Sequence, residues 1–131
     1  MKVLCAVLLV GVAATSAVAA DKKAARFTEG LKKLDLETRL DQVCDYEAMS
    51  RIGRDGTGFR PDRSQSNAMS EPKRDGNTLI AKGAAFRSKG QWYQFSFTCK
   101  GAPDHLSVLS FAYQIGEPIP EGKWEDYGLW K

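Results

Sequence analysis

Two cysteines, one histidine and a few clusters of charge are the side chains from which this chain would have to build chemistry. Cys44 and Cys99 stand 55 positions apart, and Cys5 lies near the N-terminus. A catalytic thiol needs a base beside it, and His105 is the single histidine. Asp104 precedes it directly, but sequence neighbours point apart and do not form the nucleophile–base–acid geometry of a hydrolase. The plainer reading is a turn residue followed by a histidine that starts a strand. No G-x-S-x-G, P-loop, C-x-x-C or H-E-x-x-H run occurs. With one histidine and paired cysteines, a zinc site lacks ligands. No catalytic residue, metal ligand or cofactor is assigned.

Charge and aromatic clusters offer binding instead. Glu37, Asp41 and Asp45 recur every four residues, an acidic row suited to calcium or a basic partner, or else the solvated face of a helix. Arg51, Arg54, Arg60, Arg63, Lys73 and Arg74 form the densest basic stretch, offset by Asp55, Asp62, Glu71 and Asp75. Arginine forks suit phosphates and carboxylates; local bridges around Pro61 are the alternative. Arg87, Lys89, Trp92 and Tyr93 gather cations and aromatics around one turn. Arg60, Arg87, Trp92 and Tyr93 are the candidate binding residues. An exposed Trp92 would stack on sugar rings or receive a partner; the competing reading packs it under Trp124 or Trp130.

These residues need elements to position them, and the first is a leader. Lys2, the uncharged apolar run Val3 to Val12 and the small residues Ala17-Val18-Ala19 form a signal-peptide pattern over residues 1–20, with cleavage near Ala19 or Ala20. Cleavage removes Lys2 and takes the formal net charge from +3 to +2, too weak to suggest nucleic acid. The remainder has no apolar run long enough for a transmembrane span. Export places the chain in the periplasm or outside the cell. Two remaining cysteines in that compartment read as one Cys44–Cys99 disulfide.

Residues 21–33 read as a loose basic arm, and residues 34–130 as a single domain. From Leu34 a long helix is predicted, with Asp35 as N-cap and Glu37 in the first turn. Leu36, Leu40, Val43, Cys44, Ala48 and Ile52 form its apolar face. Pro61 opens a short second helix through about Met69, and Glu71 to Asn77 is a polar turn. Ten of the 13 aromatics follow Ala85. Thr78 to Ser88 reads as a strand with a bulge at Gly83, Lys89-Gly90 as a tight hairpin turn, Gln91 to Lys100 as the strongest strand, and Leu106 to Ile115 as a third. Pro120 opens a last helical turn carrying Trp124 and Tyr127. The expected fold is α+β: a three-stranded antiparallel meander packed against one long N-terminal helix, with short second and C-terminal helices.

The run Leu34-Asp35, Thr38-Arg39-Leu40, Gln42, Cys44-Asp45 and Ala48-Met49 has a further bearing. Together with Arg60-Pro61-Asp62, Gly83 to Ser88, Gly90, Trp92-Tyr93 and Cys99, and with Phe111, Gly116, Pro120, Trp124 and Gly128-Leu129, it resembles a small family of exported alphaproteobacterial proteins. That family is catalogued as a domain of unknown function, number nine hundred and thirty. The resemblance spans residues 34 to 129 and implies an envelope location and a structural cysteine pair. It carries no activity, ligand or catalytic residue. The functional expectation is an exported periplasmic module, non-enzymatic, that binds an envelope protein or glycan. The alternatives are a small-ligand binder with an apolar pocket and a hydrolase-like enzyme.

Overall fold

The computed structural model describes residues 15–131. Two helices, α1 (Thr15–Leu31) and α2 (Leu36–Arg54), precede five strands: β1 (Pro61–Gln65), β2 (Lys73–Asp75), β3 (Thr78–Ser88), β4 (Gln91–Gly101) and β5 (Val108–Pro118). Two short 3-10 turns, Glu121–Lys123 and Glu125–Tyr127, close the chain. All strand pairings are antiparallel, in the order β1-β3-β4-β5, with β2 also on β3. The α+β class holds. The sheet has five strands rather than three, and α2, the expected long helix, is preceded by another helix.

α2 forms where its apolar spacing places it. Asp35 caps it, accepting from the Thr38 backbone N–H at 3.0 Å. Leu40, Val43, Cys44, Ala48 and Ile52 are buried against Leu79, Ala81, Phe86, Phe95, Phe97 and Phe111 of the sheet. Leu36, expected on that face, is 53% exposed. The disulfide joins Cys44, in mid-helix, to Cys99 on β4, with Cα atoms 6.0 Å apart.

Arg39 locks the entry to α2. Its guanidinium donates to the carbonyls of Leu31, Lys32, Leu34 and Asp104. One side chain thereby gathers carbonyls at and just past the end of α1 and ties that corner to the β4–β5 loop.

Three segments depart from expectation. The loose arm at 21–33 is largely helical, as α1. Its alanine-rich stretch favours a helix, and Phe27 stacks on Tyr46 of α2 with ring centroids 4.3 Å apart. The apolar leader run Val3 to Val12 lies outside the described residues. The segment from Pro61 is strand β1 and not a helix. Pro-Asp-Arg-Ser-Gln has no apolar repeat to bury on a helix, and Pro61 suits the first position of an edge strand. The polar turn at 71–77 contains β2, which returns through Gly76-Asn77 to pair Asp75 with Thr78.

The hairpin and bulge assignments hold. Lys89 (φ 52°) and Gly90 (φ 74°) link β3 to β4 as a two-residue turn. Between Ala81 and Ala84 the β3–β4 register slips, at Lys82-Gly83. Gly83 is needed there because the 66–72 segment crosses it: the Met69 N–H donates to the Gly83 carbonyl at 2.8 Å. A Cβ on Gly83 would sit 2.7 Å from the Ser70 backbone nitrogen and overlap its hydroxyl. Gly83→Ala should therefore destabilise the fold by on the order of 2 kcal/mol, read as a lowered denaturation midpoint. An unchanged midpoint would show that the crossing segment is free to move.

Candidate functional site

Of the candidate binding residues at the β3–β4 hairpin, Arg87 and Trp92 are placed together, and Tyr93 is on the other face of the sheet. Trp92 is fully buried. Its indole N–H donates to the Trp130 carbonyl at 2.7 Å, and it packs with Ala85, Ile119, Trp124 and Leu129 beneath the C-terminal tail. The exposed stacking platform is therefore corrected, and the competing reading is the one observed. Arg87 makes a two-pronged bond to Asp62 at 2.8 and 2.9 Å, with its guanidinium 5.9 Å from the ring centroids of both Trp92 and Trp130. The Arg87 guanidinium holds the Asp62 carboxyl below its usual range. Tyr93 lies on the opposite face, between Phe59 and Phe86. Arg60 is exposed, and its backbone N–H donates to Ser88 Oγ. These four residues do not line one cleft.

The charged rows are absorbed internally in part. Asp41 accepts from Arg74 of β2 at 2.6 and 2.8 Å, yet burial outweighs the arginine and raises its carboxyl above the usual range. Asp45 accepts from Ser64 Oγ of β1 at 2.9 Å, and burial pushes it up to about 7. Arg51 and Arg54 lie near Asp55 and Glu47, at 3.7 and 3.8 Å. Among the described residues no cluster of three or more His, Cys, Asp or Glu side chains is arranged to hold a metal ion. His105 is buried at φ 55°, with Nδ1 2.6 Å from the Leu36 carbonyl and Nε2 2.9 Å from Asn77 Oδ1. Both ring nitrogens are engaged in holding the β4–β5 loop to α2 and to the β2–β3 turn. Asp104, through its carbonyl, belongs to the Arg39 clamp.

Open ground lies between α2 and β1, where a concavity of about 510 Å³ is lined by Tyr46, Met49, Ser50, Pro61, Asp62 and Arg63, and on the sheet face away from α2. The C-terminal tail covers only its Ala85–Trp92 end. Beyond the tail a shallow trough of about 330 Å³ is lined by Ile80, Lys82, Ser96, Thr98, Ala112 and Gln114. Two smaller concavities adjoin it. One, of about 200 Å³, adds Gln94 and Gly116; the other, of about 170 Å³, adds Ser70, Glu71 and Lys73. Lys82 lines all three. The bulge at Lys82-Gly83 aims this lysine, a common use of bulges, and among the described residues it has no ion-pair partner. The surface thus offers hydroxyls, amides and a central cation, with Glu71 and Lys73 at one margin. Sequence reasoning assigned Gln94, Ser96 and Thr98 no role.

Residues 31–129 match the family described as Domain of Unknown Function (DUF930). The chain belongs to this family. The DUF930 match takes in α2, the whole sheet and the tail up to Leu129, so the disulfide, the Arg39 clamp and the trough are all within it. Most of α1 precedes it. No curated protein and no solved structure matches the chain. Among the described residues no helix is long and apolar enough to cross a membrane.

Proposed function

We propose that this DUF930 protein is an exported, non-enzymatic binding module of the cell envelope that contacts its partner through the open sheet face around Lys82. The observation carrying this reading is the trough itself: an uncovered run of serine, threonine and glutamine side chains around one unpaired lysine. Such a surface suits a polar partner with negative charge, in the envelope an acidic protein segment or an acidic glycan. The leader pattern and the buried disulfide support an oxidising compartment. Lys73, in the smallest concavity beside Glu71, has no ion-pair partner among the described residues and adds a second positive charge.

Two measurements test the two parts. The mature protein recovered from cells should begin near Asp21; an intact N-terminus in cytoplasmic protein overturns export. A photo-crosslinking side chain at Ser96 should give one discrete adduct in living cells, digestible by protease for a protein partner or by glycan hydrolases for a glycan. Lys82→Glu should cut that adduct by about tenfold, the loss of one charge-assisted contact of roughly 1.5 kcal/mol. An adduct insensitive to Lys82→Glu, or none at all, would mean that this face is not the contact surface.

A further inference from the structure

β5 is the edge of the sheet, and it has the composition of an interior strand. From Leu106 to Gly116 the chain carries no charged side chain. The other long uncharged stretch after the leader, Gly90 to Cys99, is the central strand β4, which is paired on both sides. The opposite edge is built differently. β1 is five residues long, opens with Pro61, slips register at Asp62 and exposes Asp62 and Arg63. Those are the devices by which proteins keep an edge from pairing. β5 has eleven residues with proline only at its last position, and its middle, Ser110–Ile115, runs in unbroken register on β4. β5 too slips register at its two ends, at Leu109 and between Ile115 and Pro118, but its uncharged middle is left complete where β1 is blunted.

We infer that β5 pairs with β5 of a second copy of this chain, antiparallel about a two-fold axis through Ala112, to make a continuous sheet across a dimer. An isologous contact must be self-complementary, and this register is. Ser110 meets Gln114 of the second copy on the open face. Phe111 meets Tyr113 on the helix-covered face. Leu109, at the register shift before Ser110 and the most exposed large apolar side chain among the described residues at 62%, lies across from Ile115. Small Ala112 meets itself at the axis, and no charged residue faces another. Shifting the axis to Tyr113 would set Leu109 against Glu117, which disfavours that register. β5 also lends Ala112 and Gln114 to the trough, so the test reads self-association of the chain and not partner binding.

The test is sedimentation of the exported protein from low micromolar to submillimolar concentration, with two variants at exposed positions that leave the monomer fold intact by circular dichroism. Wild type should show a reversible monomer–dimer equilibrium. Ala112→Lys places like charges directly opposite each other and should weaken the dimer about fivefold or more. The double variant Ser110→Lys with Gln114→Glu creates two opposed ion pairs in this register alone and should dimerise at least as tightly as wild type. A wild type that stays monomeric throughout overturns the inference, and so does a dimer indifferent to Ala112→Lys or broken by the paired-charge variant.

Discussion

Replacing both Cys44 and Cys99 by alanine should lower the thermal midpoint by roughly 15 °C or more, about 4 kcal/mol of stability. The link closes a loop of 55 residues between the middle of α2 and the central strand β4. Without it the unfolded chain regains the freedom of that loop. The folded state has little in reserve, because one helix on one sheet face makes a modest core. Both cysteines are fully buried, so single serine variants would add a desolvated hydroxyl to the lost link. The double alanine variant avoids that and leaves a small cavity on each side. Reduction of the wild type at equal pH gives the loss without a cavity. The two experiments should agree to within the cavity term of about 1 kcal/mol. A drop of only a few degrees in both would show that helix–sheet packing holds the fold unaided.

The elements that sequence reasoning placed are those that carry their own repeat. α2 shows its buried face through Leu40, Val43, Cys44, Ala48 and Ile52 and its start through Asp35. β4 alternates through Tyr93, Phe95, Phe97 and Cys99, with its bulge partner marked by Gly83. β1 and β2 carry no such signal. Each is short and polar, and each exists because β3 supplies a ladder and α2 supplies Asp45 and Asp41 to receive Ser64 and Arg74. Those contacts join residues 19 and 33 positions apart, so no local window contains them. The binding residues were misjudged for a related reason. Arg87 and Trp92 have the chemistry of a recognition site, but Asp62 and the Trp130 carbonyl consume it, and both partners are remote in sequence. The trough around Lys82 depends on where the tail stops, and the alternation of Gln94, Ser96 and Thr98 is silent on that.

Asp45→Asn should stabilise the protein at pH 8 by on the order of 3 kcal/mol and leave it nearly unchanged at pH 4. Asp45 sits in mid-α2 against β1, where removal from water raises its carboxyl from 3.8 to about 7. The Ser64 hydroxyl and the Ser66 backbone N–H act in the opposite direction, Asp41 one turn away acts with burial, and burial dominates. A carboxyl raised on folding binds its proton more tightly in the native state, so between pH 3.8 and about 7 the native state holds more protons than the unfolded one. Stability from this group therefore falls as pH rises through that window. Below 3.8 the group is protonated in both states and costs nothing; above 7 the full cost of a buried charge applies. Asparagine keeps an oxygen to accept from Ser64 and cannot ionise, so it removes the cost and its pH dependence together. The check is urea unfolding of wild type and variant at pH 4, 6 and 8, read as the difference between the two at each pH. That difference cancels Asp62 and the other carboxylates common to both proteins. A gain that grows with pH supports a buried carboxyl between α2 and β1; a difference constant across pH would mean that Asp45 is solvated in the folded state.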